Sequence, residues 1–293
     1  MRISLVIPNY NSGPVLERAI RSVLEQQYSD LELIVVDSLS TDESKDTIDK
    51  YRPQLSHLVR EKDRGPADGI NKGFARATGD IYAWLGADDE LAPDAFHAVV
   101  NIFKEHPEAD VVIGACERVF ADGSRLITTP PPDALALAGR INLIEQPSCF
   151  WRAELHHRCG PLDATYKLAF DWELWCRMRD AGAKPFFTDR VLSHYYFSAT
   201  NITSASGAGH VREATRILRK YGPLGGGLAY IYNVLFWIFD MHGCYDSPPT
   251  CTPLRARAFG YVLRFLVATI GRDLAYGYNW HFASRQARGL KWW

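Results

Sequence analysis

The sequence predicts an α/β fold, in which a mixed, mainly parallel sheet is flanked by helices and followed by a C-terminal helical appendage. In the first hundred residues, short apolar runs typical of buried strands alternate with segments whose apolar residues recur at helical spacing. This strand–helix order predicts parallel strands, because each helix returns the chain to the same end of the sheet. The 293 residues are enough for one large domain, or for one domain with an appendage.

The elements of the parallel half follow from local pattern. Strands are predicted at residues 3–7, 31–36, 58–59 and 80–85. Apolar residues at helical spacing predict a helix over residues 16–24. The segment Ser40-Thr41-Asp42-Glu43 has N-cap character and predicts a second helix that ends near Tyr51. A further helix is predicted to begin near Pro93.

After residue 110 the pattern becomes that of antiparallel strands. Strands are predicted at residues 110–115 and 118–120, with Asp122-Gly123 as a hairpin turn before a returning strand at residues 125–128. Residues 168–178 predict a helix with Asp171 in its first turn. The residues predicted on the buried side of this helix are Trp172, Trp175 and Cys176.

Composition is that of an ordinary globular protein, with 47% hydrophobic and 23% charged residues. From residue 211 onward there are 11 Lys or Arg against 4 Asp or Glu, whereas the first 210 residues carry 22 against 30. The six cysteines show no zinc-like spacing, which favours free thiols in a reducing compartment. We expect neither a signal peptide nor a nucleic-acid partner.

Polar side chains follow four successive predicted strands. In parallel sheets ligands bind at the edge where the strands' carboxyl ends meet, so these residues predict a binding site, although each alone is more often a turn residue or a helix cap. They are Asn9, Asn11, Asp37, Asp63, Asp88 and Asp89.

The acidic run Asp88-Asp89-Glu90 comes directly after a buried strand. Hard divalent cations prefer carboxylate oxygens, and the open edge leaves room for a phosphate. We therefore interpret this run as part of a metal and nucleotide-sugar site. The alternative is a solvated acidic turn that caps the next helix.

Six segments, in order, carry a resemblance to a known family. They read SLVIPNYN, LIVVDSLSTDES, EKDRGPADGINKG, GDIYAWLGADDEL, QPSCFWRAEL and LAFDWELWCRM. With them the chain, from about residue 2 to about residue 203, resembles the family 2 glycosyltransferases of GT-A fold. These enzymes transfer a sugar from a nucleoside diphosphate with inversion at the anomeric carbon. The third segment is especially similar to transferases that build bacterial exopolysaccharides and O-antigens.

The resemblance implies a set of residues that bind the nucleotide-sugar donor. Pro8, Asn9 and Tyr10 would line the base and ribose, and Asp37 would accept a hydrogen bond from uracil. The residues that would border the base and diphosphate or contact phosphate are Asp63, Arg64, Asp68, Lys72 and Asp88.

The resemblance also implies a Mg²⁺ or Mn²⁺ ion, which would neutralise the charge that develops on the diphosphate leaving group. Asp88 and Asp89 match the second half of the family's D-x-D motif, and Gly86 stands at the position of its first acid. Which aspartate binds the metal is left open. His194 is a third candidate ligand, with a satisfied surface histidine as the alternative, because the usual Arg-x-His pattern is not intact.

Asp171 matches the family's catalytic base, which deprotonates the acceptor hydroxyl on the face opposite the leaving group. Glu173 is the second candidate. A carboxylate that interacts with the helix dipole is the alternative for Asp171. The Q-x-x-R-W motif that processive relatives use does not follow Asp171 in the next hundred residues, so we predict addition of single sugars.

The predicted domains are a catalytic domain over residues 1–210, divided at residue 110 into nucleotide-binding and acceptor halves, and a basic, aromatic helical region over residues 211–293. Residues 228–239 are apolar but fall short of the roughly 20 needed to span a membrane. A basic amphipathic helix beyond Pro249 suits peripheral contact with a membrane, with packing on the catalytic domain or a second subunit as the alternative. Its apolar stripe is Phe259, Val262, Leu263, Leu266, Val267, Ile270 and Leu274.

These observations predict a non-processive, inverting, hexosyltransferase-type glycosyltransferase of cell-surface polysaccharide synthesis. The expected donor is a UDP-sugar, and the expected acceptor is a lipid-linked saccharide or oligosaccharide at the cytoplasmic face of the cell membrane. Two alternatives stay open. A nucleotidyltransferase would carry a Gly-rich, basic phosphate loop where Pro8-Asn9-Tyr10-Asn11 stands. An inactive binding or scaffold homologue would have lost acids such as Asp89 or Asp171.

Overall fold

The computed structural model describes residues 1–120, 122–197, 208–222, 234, 237–239 and 253–270. The chain forms two compact units. The first comprises Met1–Leu135 and Ile144–Tyr196, and the second comprises Ala136–Leu143 and Phe197–Trp293. The first unit ends at Tyr196, and the domain boundary predicted at residue 210 stays a prediction.

The parallel half of the first unit has the predicted strand–helix order. Its four strands lie in the order β3-β2-β1-β4 and are all parallel. They are β1 (Ile3–Asn9), β2 (Leu31–Asp37), β3 (His57–Arg60) and β4 (Ile81–Trp84). The helices between them are α1 (Gly13–Leu24), α2 (Ser44–Tyr51), which a 3-10 turn at Arg52–Gln54 follows, and α3 (Pro66–Phe74).

Helices cover both faces of this half, which explains why its strands are apolar throughout. Ile3, Leu5 and Ile7 of β1 belong to one buried cluster with residues of α1. On the opposite face Val6 meets α3, where a Cβ at Gly73 would lie only 2.5 Å from the Val6 side chain. The glycine therefore lets α3 lie directly against the strand.

The second half of the sheet is mixed. Strand β8 (Cys149–Arg152) pairs antiparallel with both β4 and β6, and β6 (Val111–Val119) runs parallel to β9 (Pro185–Tyr196). The predicted hairpin is confirmed, since β7 (Arg125–Thr128) pairs antiparallel with β6. The two strands predicted at residues 110–120 are one strand, whose register against β9 shifts near Ala115.

The remaining elements of this unit lie around the mixed half. The two-residue strand β5 (Glu90–Leu91) pairs antiparallel with β9. The helices are α4 (Ala95–Glu105), α5 (Ala153–Cys159) and α6 (Phe170–Asp180), and a 3-10 turn covers Gln146–Ser148. Helix α6 confirms the prediction at residues 168–178, and its predicted inner residues Trp172, Trp175 and Cys176 are buried.

In the second unit the described residues contain a 3-10 turn at Ala136–Gly139 and helices at Ala208–Tyr221 and Pro253–Ile270. None of the described helices has the length and apolarity that crossing a membrane requires. Most of the apolar stretch at residues 228–239, and Leu274 of the predicted stripe, lie outside the described residues.

Four cysteines within the described residues are free thiols, as predicted: Cys116, Cys149, Cys159 and Cys176. Cys244 and Cys251 fall outside that part of the chain.

Candidate active site

The carboxyl ends of β1 and β2 form one corner of the site. Asn9 and Asp37 stand opposite each other in the register of the two strands, and the Asn9 amide donates to Asp37 Oδ1 at 2.8 Å. Arg60, at the end of β3, places its Nε 3.3 Å from Asp37 Oδ2. Asp37 is 2% exposed, so these partners compensate for burying its charge. Asn9 and Arg60 thus hold the Asp37 carboxylate at the edge of the sheet where ligands of such folds bind.

Ser40 joins the two loops that leave β1 and β2. Its hydroxyl accepts hydrogen bonds from the Asn9 amide at 3.0 Å and from the Asn11 main-chain N–H at 2.9 Å. Asn11 adopts a positive φ of 51°, which asparagine tolerates well, and its Oδ1 accepts from Thr41 N–H at 2.9 Å. The sequence indicated Ser40 only as part of a helix cap. Tyr10, predicted to line the base, is 65% exposed beside this junction.

The loop between β3 and α3 is held by bonds among its own residues. Asp63 Oδ1 accepts from Gly65 N–H at 2.9 Å, where the glycine has a φ of 119° that disfavours other residues. Asp68 accepts from Arg64 Nη2 at 2.9 Å, and this hydrogen bond holds the pKa of the Asp68 carboxyl below its usual value. Lys72 Nζ lies 3.0 Å from a carboxylate oxygen of Glu61. The contacts predicted between this loop and a donor stay predictions.

Asp88 and Asp89, which we call the acid pair, converge over Gly86. A Cβ at Gly86 would lie 2.9 Å from Asp88 Oδ1 and 2.9 Å from Asp89 Oδ2, so the two carboxylates occupy the space that a side chain would need. This explains why glycine stands where the family motif has its first acid. Burial, followed by the neighbouring Asp88 charge, raises the pKa of Asp89 well above its usual value, and burial also raises the pKa of Asp88.

The third predicted metal ligand, His194, stands opposite Glu90 in the β5–β9 register and contacts Glu117. His194 Nδ1 lies 2.8 Å from Glu117 Oε2, because β9 and β6 place these two residues opposite each other. Within the part of the chain that the structure describes, no group of three or more His, Cys, Asp or Glu side chains is arranged to hold a metal. The predicted ligand set that includes His194 is therefore not assembled.

Two carboxylates are nevertheless a suitable donor set for Mg²⁺ or Mn²⁺. Mg²⁺ in particular is usually bound through one or two carboxylates, with substrate phosphate oxygens and water as its other ligands. The convergence of Asp88 and Asp89 over Gly86 brings two carboxylates to one point, which suits a divalent cation.

Asp171 lies in the first turn of α6, and its Oδ1 accepts from Trp172 N–H at 2.7 Å. The pKa of the buried Cys149 thiol is raised, first by burial and then by the Asp171 charge, which places that carboxylate near the start of β8. The turn just before Cys149 is tied to the end of β4, because Gln146 Nε2 donates to the Trp84 carbonyl at 2.8 Å. Asp171 thus lies near Cys149, and the turn before Cys149 contacts the end of β4.

Glu173 has a different environment. It is 1% exposed, and the Arg177 Nε lies 2.8 Å from its Oε2. Arg177 also donates to the Gly160 carbonyl at 3.1 Å, so the pair ties α6 to the end of α5. A buried, ion-paired carboxylate is poorly placed to meet an acceptor hydroxyl. The structure favours a structural role for Glu173 over the predicted catalytic one.

Curated relatives of this chain are glycosyltransferases. An uncharacterized glycosyltransferase of Nostoc sp. is 40% identical over 191 residues, which cover 60% of this chain and 56% of the relative. A PGL/p-HBAD biosynthesis glycosyltransferase of Mycobacterium tuberculosis is 32% identical over 174 residues, covering 58% of this chain and 66% of the relative. The matched regions thus span between about half and two thirds of these relatives.

Solved structures share the fold. Staphylococcus aureus TarS 1–349 in complex with UDP-GlcNAc matches with a TM-score of 0.60 at 15% identity, over 99% of this chain and 92% of that one. A mannosyltransferase of Pyrobaculum calidifontis in complex with GDP-Man and Mn²⁺ matches with a TM-score of 0.57 at 18% identity, over 99% and 81%. This likeness confirms the predicted GT-A fold. The family model for glycosyl transferase family 2 matches residues 4–153, half of the sequence, and the chain therefore belongs to that family.

Proposed function

We propose that this protein transfers single sugars from a nucleoside diphosphate donor to a hydroxyl acceptor, with inversion at the anomeric carbon. The observation that carries the proposal is the convergence of Asp88 and Asp89 over Gly86, on the sheet edge that also presents Asp37. Such an arrangement suits a cation bound to a diphosphate next to a nucleoside. The relatives' names support the reaction class, and TarS with UDP-GlcNAc supports a UDP-sugar as donor.

In this proposal the corner formed by β1 and β2 holds the nucleoside. Asp37 is fixed by Asn9 and Arg60, and a carboxylate has enough lone pairs to accept a further hydrogen bond from an N–H of the base. The exposed Tyr10 ring offers an apolar face beside it. The loop from Asp63 to Asp68 borders the same corner, because the Asp63 N–H donates to Ser38 Oγ at 3.0 Å just beyond β2.

Asp88 and Asp89 would hold the Mg²⁺ or Mn²⁺ ion through their carboxylates. When bound, the cation neutralises the charge that develops on the departing diphosphate. The deep burial of Asp89 excludes water around its carboxylate, which strengthens electrostatic interactions there.

Asp171 is the proposed general base. It is half-buried, and the hydrogen bond from Trp172 N–H fixes one of its oxygens. The second oxygen would accept the proton of the acceptor hydroxyl as that hydroxyl attacks the anomeric carbon. The same hydrogen bond would stabilise a carboxylate that only interacts with the helix dipole, so catalysis by Asp171 needs a kinetic test.

The acceptor is proposed to be a lipid-linked saccharide of cell-surface polysaccharide synthesis, met at the cytoplasmic face of the membrane. Phe259 of the predicted stripe is buried, so the stripe is not the exposed face at that position. Leu254, Tyr261 and Phe265 of the same helix, Pro253–Ile270, are instead 78%, 69% and 67% exposed, and they share one face because they are seven and four residues apart. Arg255 and Arg257 are exposed on the same helix. An exposed apolar stripe with basic neighbours suits peripheral contact with anionic lipid.

The test is release of nucleoside diphosphate from a panel of nucleotide sugars by the purified chain, with oligosaccharide or lipid-linked acceptors. Wild type is expected to release the nucleoside diphosphate only with an acceptor and a divalent cation, and Asp89→Ala and Asp171→Asn are each expected to be at least 100-fold slower. Near-normal transfer by either variant would contradict the role given to that residue. Release of pyrophosphate from a nucleoside triphosphate and a sugar phosphate would instead favour a nucleotidyltransferase.

A further inference from the structure

Helix α1 carries a polar stripe that holds the chain following the acid pair. Arg18, Ser22 and Gln26 lie at successive four-residue intervals, so they share one face of the helix and its continuation. Ser22 Oγ accepts from Leu91 N–H at 3.0 Å, and Gln26 Nε2 donates to the Ala92 carbonyl at 2.9 Å. Ser22 and Gln26 are buried and bind main chain only. Arg18 is the member of the stripe that reaches the acid pair.

The Arg18 guanidinium contacts Asp88 of the acid pair and Glu90, the residue that follows the pair. Its Nη2 donates to the Asp88 carbonyl at 2.7 Å, and its Nε lies 2.7 Å from Glu90 Oε1. The guanidinium carbon lies over the Tyr196 ring, 3.6 Å from the ring centroid. Tyr196 in turn donates its main-chain N–H to Asp89 Oδ1 at 3.3 Å. One side chain therefore holds the main chain of one aspartate and the strand that binds the other.

This arrangement leaves the two carboxylates available to a cation. The charge of Arg18 is paired with Glu90, and its hydrogen bond to Asp88 goes to the carbonyl. The carboxylates of Asp88 and Asp89 meet over Gly86. A planar guanidinium can make two polar contacts and stack on an aromatic ring at once, which the point charge of lysine cannot reproduce.

We propose that Arg18 is a positioning residue for the cation site: it fixes the turn from Asp88 to Glu90 and the Tyr196 strand so that the two aspartates are held ready for a divalent ion. This inference rests on the proposed function, because it presupposes a cation bound by Asp88 and Asp89. Residues that orient metal ligands typically contribute about 10–100-fold to metal affinity, and we expect an effect in this range.

The test is direct binding of Mn²⁺ in the presence of UDP, followed by the electron paramagnetic resonance signal of free Mn²⁺ against a protein-free blank. We expect Arg18→Ala to raise the Kd for Mn²⁺ about 10–100-fold and Arg18→Lys to raise it by a smaller factor. The matched control is Arg21→Ala, because Arg21 lies three residues on, is 60% exposed and pairs with Glu25. The control is expected to bind Mn²⁺ as wild type does.

Circular dichroism and metal-free melting temperature report the fold of each variant. An Arg18→Ala protein that melts earlier but keeps the wild-type Kd would show that Arg18 is only structural, and would overturn the proposal. If Arg18→Ala does not fold, a folded Arg18→Lys with wild-type affinity overturns it equally. If the wild-type protein binds no Mn²⁺ in the presence of UDP, the cation site does not exist. This result would overturn the role of Arg18 and also the metal dependence in the proposed function.

Discussion

Glu173 and Asp171 lie two residues apart on α6, and replacing each carboxylate by its amide is expected to have opposite effects. Glu173→Gln removes the charge that Arg177 faces at 2.8 Å. Breaking a buried pair by removing one partner typically costs about 3–5 kcal/mol, because the other charge is left uncompensated. We expect about 3 kcal/mol, the lower end of this range, since Arg177 is 19% exposed and keeps its bond to the Gly160 carbonyl.

Asp171→Asn is expected to leave the free energy of unfolding nearly unchanged while slowing transfer about 10²–10⁴-fold, the usual contribution of a general base. The assays are urea denaturation of both variants and kcat of each at a temperature where it is folded. We expect Glu173→Gln to keep kcat within about threefold of wild type under these conditions, because a residue that is not the general base does not take part in the proton transfer. A stable Glu173→Gln protein that has lost transfer activity would refute the structural role.

Three further outcomes follow from the same structure. Gly86→Ala is expected to push the carboxylates of Asp88 and Asp89 apart, since its Cβ would lie 2.9 Å from an oxygen of each. Mn²⁺ binding, measured by the cation dependence of transfer, should weaken by about tenfold or more. An unchanged cation dependence would contradict the convergence of the two carboxylates. Burial lowers the pKa of His156 to about 4, below its unfolded value, so the unfolded state binds the extra proton first and stability should fall as pH drops from about 6.5 to about 4. His156→Gln should flatten that decline in melting temperature, and an equal decline would count against burial as its cause. Leu254→Ser with Phe265→Ser should reduce flotation with anionic vesicles, and binding equal to wild type would exclude this helix face as the membrane contact.

The parallel half of the fold could be predicted because its signals are local. Each strand is a short apolar run, and each helix shows apolar residues at helical spacing, so residues 1–60 needed no knowledge of distant contacts. Strand β5 was beyond reach, because two residues carry no periodic pattern and pair only with the distant β9. The burial of His156 against the Phe74 and Tyr82 rings was likewise not predictable, because it depends on residues far away in the sequence.

In the site, the polar residues at strand ends were predictable by type and place, and their partners were not. The pairing of His194 with Glu117 depends on the β6–β9 register, between residues far apart in sequence. For Glu173 a local signal was present, because Arg177 follows at the four-residue spacing of helical ion pairs. The contact of Arg18 with the Asp88 carbonyl could not be predicted, because it depends on how the fold places α1 beside residue 88.

We propose that the sheet edge binds a nucleoside diphosphate together with a divalent cation. The most direct measurement is thermal stabilisation of the purified chain by UDP, GDP and other nucleoside diphosphates, with and without Mn²⁺. A ligand at 100 times its Kd should add about 2.7 kcal/mol to the free energy of unfolding. We expect UDP to stabilise the protein only when Mn²⁺ is present, and we expect Asp89→Ala to abolish this stabilisation. Absence of any shift with every nucleotide, with or without Mn²⁺, would contradict it.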